Sequence, residues 1–461
     1  MSGSTITEPT ATEHAPGVAL PSCVIVAEHA SMQMGGEAAI PWHYFRVLRA
    51  RGADVHLVVH ERVRAELDGL VATGDEDRLH YVRDSTAHKV LHRIGERLPA
   101  RLAYFSVGFV MRFLTQLDER RIARRLVAEH GLEVVHQPIP VSPREPSLMS
   151  GLGAPVVIGP MNGGMSYPPG FSASSATSSS GTSSSASSSM SAVRGGVEAL
   201  GLLGARLLHR ILPGKRRAAV LLVANDRTRA ALQFRRAEAV DLVENGVDLS
   251  VWRPSAVADA PRDATEFMFL GRLVGWKAVD IAIEALGNIA DEVDVRLTVV
   301  GDGPERAALE RAAAAARTPS GAPLGDRISF LGWQPQDRCA ELLGRADVLV
   351  LPSLYECGGA VVLEAMAMGK PVIATDWGGP ADYLDASCGV LVAPTSREGL
   401  VGGFADAMAA LAASPERRRE LGAGGRQRVD AEFDWEIKVD RIVEVYRSAI
   451  HIGADRADRS H

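Results

Sequence analysis

Glu356 and Glu364 stand eight residues apart in Tyr355-Glu356-Cys357-Gly358-Gly359-Ala360-Val361-Val362-Leu363-Glu364-Ala365-Met366-Ala367-Met368-Gly369-Lys370-Pro371. A glycine pair after the first acid, followed by an apolar stretch, predicts a helix N-terminus. Bare amide N–H groups and the helix dipole at such a point favour an anion such as a phosphate. The second acid falls two turns further on, roughly 12 Å away if the whole stretch is helical. That spacing suits the two ends of one extended, phosphate-bearing ligand.

A second cluster fits the same ligand. Gly271-Arg272-Leu273-Val274-Gly275-Trp276-Lys277 directly follows an apolar run that reads as a strand. Two cations five positions apart on a strand-to-helix loop can converge on one diphosphate, Arg as a planar fork and Lys as a point charge. Each charge-assisted bond is worth roughly 1.5–3 kcal/mol. The alternative is a solvated loop with ordinary surface ion pairs.

Other candidates are weaker. Gly301-Asp302-Gly303-Pro304-Glu305 is a turn after a strand, without the third glycine of a dinucleotide fingerprint. Gly35-Gly36 has the same shortfall, although glycine there lets backbone approach a phosphate or sugar closely. His136 closes an apolar strand at its carboxyl end, where ligands bind in parallel sheets, but a structural histidine reads the same way. Asp75-Glu76-Asp77 lies in a polar loop with no strand before it and reads as a solvated charge cluster, not a metal site.

The elements that must position these residues show a repeated pattern. Cys23–Ala27, a glycine-containing loop, a helical stretch near 38–51 and Val55–Val59 form the opening of a doubly wound parallel sheet. Val134–His136, Val156–Ile158 and Val220–Ala224 continue it, and Asn225 caps a helix from Asp226. Asn245-Gly246-Val247-Asp248 is a turn signal and marks a domain boundary. A second cycle then begins with Phe267–Leu270, a helix from about 278, and strands at Arg296–Val300, Ile328–Leu331, Val348–Leu351 and Pro371–Ala374.

The expected organisation is therefore a disordered tail over 1–17, an N-terminal domain over 18–245, and a C-terminal domain over 246–430. A final segment, 431–461, should form a helix that packs back on the first domain. A Ser/Ala/Thr/Gly tract at 172–191 cannot bury apolar surface and reads as a disordered loop.

With 461 residues the chain is too long for one ordinary core. A net charge of −6 gives no support to a nucleic-acid partner. Four scattered cysteines, Cys23, Cys339, Cys357 and Cys388, fit a reducing compartment rather than a disulfide scaffold or zinc site. The lack of Lys and Arg in residues 1–17 argues against a signal peptide, and no run of eighteen apolar residues exists. A cytoplasmic location follows as the expectation.

Taken together, the motifs resemble retaining glycosyltransferases of the GT-B fold, glycosyltransferase family four. The resemblance runs from Val243 to about Val392. It rests on Asn245-Gly246-Val247-Asp248, Gly271-Arg272 with Lys277, Val300-Gly301-Asp302-Gly303-Pro304, Phe330-Leu331-Gly332, and the E-x7-E pair continuing into Glu364-Ala365-Met366-Ala367. The order and spacing of these motifs are specific where each alone is not. Cys357-Gly358-Gly359 departs from the Gly-Phe-Gly common there in the family.

The resemblance implies two Rossmann-like α/β domains facing across a cleft, with a nucleotide-diphosphate sugar as donor substrate and no metal or other cofactor. It implies that Arg272 and Lys277 hold the donor diphosphate, that Glu364 accepts ribose hydroxyls, and that Glu356 meets the donor sugar. Amides at Gly358 and Gly359 would meet sugar and phosphate, and backbone at Leu331-Gly332 the base. His136 would face the donor sugar, and Gly35-Gly36 would line the cleft. Two alternatives stay open: a sugar-phosphate synthase or phosphorylase-like enzyme of the same fold, and, as a different class, a non-catalytic nucleotide-sugar binder.

The acceptor is open between a glycan, a lipid-linked glycan and a small molecule. Two basic-apolar stretches bear on it: 88–125, with Lys89, Arg93, Arg97 and Val110, and 206–217, with Arg206, Leu207, Arg210 and Ile211. Such helices can lie on an anionic membrane surface, peripheral to its inner face. They can equally be domain helices with solvated basic faces.

Overall fold

A computed structural model describes residues 19–99, 103, 106–171, 206–234, 239–254 and 264–458. The expected tail at 1–17 and the Ser-rich tract at 172–191 lie outside the described residues.

Two parallel sheets organise the chain. The first has seven strands in the order β3-β2-β1-β4-β5-β6-β7. These are β1 (Cys23–Val26), β2 (Val55–His60), β3 (Leu79–Val82), β4 (Val134–Gln137), β5 (Val156–Met161), β6 (Val220–Val223) and β7 (Ala239–Asp241). β1 lies between β2 and β4, so the strand order reverses there and leaves a crevice at the carboxyl ends. The second sheet has six strands in the order β10-β9-β8-β11-β12-β13. They are β8 (Thr265–Leu270), β9 (Val295–Val300), β10 (Ile328–Gly332), β11 (Val348–Leu351), β12 (Val372–Thr375) and β13 (Gly389–Val392). Its switch point lies between β8 and β11. This is the two-domain GT-B architecture.

The central strands are buried along their whole length because helices cover both faces. β1, β2, β4, β11 and β12 have no exposed position, which explains their near-continuous Val/Ile/Leu composition. The C-terminal domain has one core running from Val247 to Phe433. The N-terminal sheet is packed on each face, with Ile25, Leu57 and Val134 on one side and Val24, Val58 and Val135 on the other.

Two chain segments cross between the domains side by side. Val247 N–H donates to Phe433 O (2.8 Å), and Trp435 N–H donates to Val247 O (3.3 Å). The last helix, Trp435–Asp458, then runs back along the first domain. Trp435, Val439, Ile442, Val443 and Tyr446 join the N-terminal core, so the chain's end is structurally part of the domain containing its beginning.

Candidate functional site

The segment around the two glutamates folds as a loop followed by a helix. The helix spans Ala360–Ala367, and no side chain caps its N-terminus. Gly359, just before it, has φ +89°, a left-handed conformation that glycine adopts at little cost. Glu356 therefore lies in the loop, and the fully helical spacing between the two acids does not apply. Glu356 folds back over Gly359, where a Cβ would sit 3.2 Å from the glutamate's Cγ.

Lys277 reaches this loop from the other motif. It ends the short turn Gly275–Lys277, and its Nζ pairs with Glu356 Oε2. Both side chains are largely buried, 14% and 16% exposed. The turn is tied to the glutamate loop by Leu354 N–H donating to Trp276 O (2.8 Å). Arg272, in contrast, is exposed, with no ion pair among the described residues. The sequence placed both cations on one diphosphate; the structure brings only Lys277 against a site carboxylate.

The glycines of Gly301-Asp302-Gly303 have a packing role. A Cβ at Gly301 (φ +133°) would fall 1.9 Å from Gly271 O, and one at Gly303 would fall 2.2 Å from Leu273 O. Leu273 N–H donates to Asp302 O (2.9 Å). The turn after β9 thus lies directly on the loop bearing Arg272, and side chains there would push the two apart.

A cavity of about 440 Å³ lies between the domains. Gly35 and Gly36 line it from the first domain; Glu364, Ala360 and the turn Trp333–Gln336 line it from the second. Its volume is in the range of ordinary small-ligand sites. The domains meet closely at its floor, where a Cβ on Gly36 would lie 3.2 Å from Ala360 Cβ. Glu364 is half-buried, and its carboxylate has no hydrogen-bond partner among the described residues. Desolvation pushes its pKa up to about 8. Cys339 lines the same wall, and burial, then Glu364, push its thiol up to about 11.

Leu331 and Gly332 sit beside this cavity rather than in its lining. Leu331 is 39% exposed, and Gly332 O accepts the Gly301 N–H (2.8 Å). Trp333, the next residue, does line it and is 64% exposed. A tryptophan that exposed is uncommon, and only the fold reveals the exposure. A larger cavity, about 560 Å³, lies behind the Gly275–Lys277 turn and includes Asp280, Glu284 and Arg397. Arg397 is already paired with both Asp280 and Glu284, and neither site glutamate lines the cavity.

His136 does not face the cleft. It is fully buried, with Nδ1 2.8 Å from Tyr446 Oη and Nε2 2.7 Å from Gly159 O. Burial, partly offset by the Gly159 bond, lowers its pKa to about 4. It anchors the final helix to the sheet, and the expectation that it meets a donor sugar is corrected here. The reason is topological: β4 is central, and Trp435–Asp458 covers the face on which His136 stands.

Asp75 is held by Arg49, so the 75–77 cluster is engaged with its own domain's helix. No group of three or more His, Cys, Asp or Glu among the described residues is placed to hold a metal ion. No helix among them is long and apolar enough to cross a membrane.

Comparison with known proteins agrees with this fold. Residues 264–414 match the family described as glycosyl transferases group 1. The chain is 32% identical over 226 residues to alpha-maltose-1-phosphate synthase of Mycolicibacterium smegmatis, covering 46% of this chain and 57% of that one. It is 32% identical over 225 residues to D-inositol 3-phosphate glycosyltransferase of Segniliparus rotundus, covering 47% and 49%. The chain thus spans about half the length of the curated relatives it matches. Among solved structures it resembles Anabaena HepE in complex with UDP, with a TM-score of 0.61 at 15% identity over 93% of this chain and 100% of that one. It also resembles sucrose-phosphate synthase of Thermosynechococcus elongatus, with a TM-score of 0.55 at 19% identity over 92% and 98%. At those identities the likeness is one of fold. Residues 264–414 are thus similar to group 1 glycosyl transferases, and the chain as a whole has the GT-B fold.

Proposed function

We propose that the protein transfers a sugar from a nucleotide-diphosphate sugar to an acceptor, with retention of anomeric configuration and without a metal. The observation that carries this reading is the largely buried Lys277–Glu356 pair at the N-terminal end of the helix bearing Glu364. It sets one cation, one carboxylate and an uncapped helix terminus beside an interdomain cavity.

In this reading Glu364 accepts ribose hydroxyls, and the Gly358 and Gly359 amides meet the sugar and phosphate. Trp333, beside Leu331-Gly332, stacks on the base. Gly35-Gly36 line the acceptor side. The bond from the anomeric carbon to the diphosphate oxygen breaks as an acceptor oxygen bonds to that carbon on the same face. The acceptor's proton passes to the departing phosphate, and Lys277 and Arg272 stabilise the charge left there.

HepE structures hold UDP and UDP-glucose, which makes uridine nucleotides the first donors to test. The relatives' names contain maltose 1-phosphate and inositol 3-phosphate, which favours a small phosphate-bearing acceptor and keeps a sugar-phosphate synthase as the second reading. An anionic membrane surface as a further partner is supported by exposed Val90, Ile94, Val110, Leu207 and Ile211, interspersed with Lys89, Arg93, Arg206 and Arg210.

Thermal shift with UDP-, GDP- and ADP-sugars tests the donor. Selective stabilisation by one nucleotide class is expected. No shift with any of them at millimolar concentration contradicts the reading.

A further inference from the structure

The loop joining Glu356 to its helix is held from the opposite domain. Asn162, just after β5, donates from Nδ2 to Cys357 O at 2.8 Å. Arg227 Nη2 reaches the same carbonyl at 3.4 Å, Asn162 Oδ1 at 3.3 Å and Asp382 Oδ2 at 3.2 Å. Asn225 Nδ2 donates to the same Asp382 oxygen at 2.8 Å. Asn162, Asn225 and Arg227 belong to the N-terminal domain, whereas Cys357 and Asp382 belong to the C-terminal one.

The loop is also confined from its own side. Gly379 N–H donates to Glu356 O (2.8 Å). A Cβ at Gly378 would fall 2.3 Å from Glu356 O. From the N-terminal domain, Glu244 also closes on the loop, since a Cβ at Gly358 would fall 2.1 Å from its Oε1. Asn162 and Arg227 therefore hold the backbone of a closely confined loop by hydrogen bonds from across the cleft.

Peptide geometry gives these contacts a consequence. In a trans peptide the C=O and N–H point in opposite directions. Fixing the Cys357 carbonyl on Asn162 therefore fixes the direction of the Gly358 N–H. Hydrogen bonds to preorganised amides are effective because no reorganisation is needed at the moment of reaction.

We infer that Asn162 and Arg227 are positioning residues, which set the Glu356–Gly359 loop from across the cleft and so make the donor site complete only when the two domains are docked as seen here. The inference rests on the proposed donor site. It is tested by a readout that needs no donor.

That readout is the Cys357 thiol, half-buried in the loop while Cys23, Cys339 and Cys388 are buried. Iodoacetamide labelling of the full-length protein, followed peptide by peptide by mass spectrometry, reports the loop directly. Asn162→Ala should label at Cys357 at least tenfold faster than the parent, with Cys23 and Cys388 unchanged. Arg227→Ala, at a more exposed site that tolerates truncation better, should show the same selective effect, and Arg227→Lys a smaller one. Labelling at Cys357 within twofold of the parent in both alanine variants overturns the inference. Uniform acceleration at all four cysteines also overturns it, because that reports general loosening.

Donor kinetics on the same variants give the functional arm. The expected result is a tenfold to hundredfold loss in kcat/KM for nucleotide-sugar turnover, with nucleoside diphosphate affinity within threefold of the parent. A parent protein that turns over no nucleotide sugar contradicts the proposed function, and the labelling result still decides the positioning role.

Discussion

Lys277 and Glu356 are 79 residues apart in sequence and meet as an ion pair with 14% and 16% of their side chains exposed. Each neutralises the other beside an uncapped helix start, so the cation is engaged before any phosphate arrives. Replacing Glu356 by Gln removes that competition. Glu356→Gln is expected to bind a nucleoside diphosphate several-fold more tightly, measured by calorimetry, while losing most sugar turnover. Its stability should fall by about 2 kcal/mol in urea unfolding, between the values for exposed and buried pairs.

Glu364 carries a pH dependence of its own. Desolvation raises its pKa to about 8, so at neutral pH the carboxyl is largely protonated in the free protein. Ribose hydroxyls donate best to the ionised form. Nucleotide affinity is therefore expected to rise between pH 6.5 and 8.5, and the slope should vanish in Glu364→Gln. The same shift makes folding weaker as pH rises from about 4.5 to about 8, since over that range the native state holds the proton more tightly than the unfolded chain.

Acid should destabilise the N-terminal domain. Burial lowers His136 to about 4, and burial with neighbouring cationic groups lowers His56 and His80 to about 4. Their contribution is complete above the ordinary histidine pKa of about 6.5 and is lost as pH falls towards 4. For His136 alone this is on the order of 3 kcal/mol. Thermal unfolding followed from pH 7 to pH 4 should show a falling midpoint, with a shallower fall in His136→Asn.

Gly301 tests the stacking of the two turns. Gly301→Ala places a Cβ on Gly271 O in a left-handed backbone position, so backbone must move. A loss of roughly 3 kcal/mol or more is expected in urea unfolding. An equivalent substitution at Gly52, where φ is +81° and nothing lies near the missing Cβ, should cost about 1 kcal/mol.

Much of this was legible in the chain because central parallel strands are buried on both faces. Runs such as Val55–Val59 and Val348–Leu351 announce themselves by composition. The edge strands Leu79–Val82, Ala239–Asp241 and Gly389–Val392 are short and carry exposed or half-exposed positions, so they lack that signature. The helix over Ala360–Ala367 was expected from its glycines, but whether Glu356 belonged to it depended on the left-handed Gly359, which spacing alone does not show. His136 was misread because its partners, Tyr446 and Gly159, are remote in sequence or on another strand. The same holds for Asn162 and Arg227: each is an unremarkable polar residue until the fold sets it against Cys357.

The central claim is that Lys277 supplies the charge that lets a diphosphate leave a sugar. The most direct measurement is nucleoside diphosphate release from the donor chosen by thermal shift, with parent and Lys277→Ala compared in the presence of EDTA. The account predicts steady release by the parent and a loss of about 10²–10³ in kcat for the variant, the range for removing one preorganised electrostatic contact. The variant should remain folded and still bind the nucleoside diphosphate. Turnover by Lys277→Ala within twofold of the parent, or parent turnover abolished by EDTA, would contradict it.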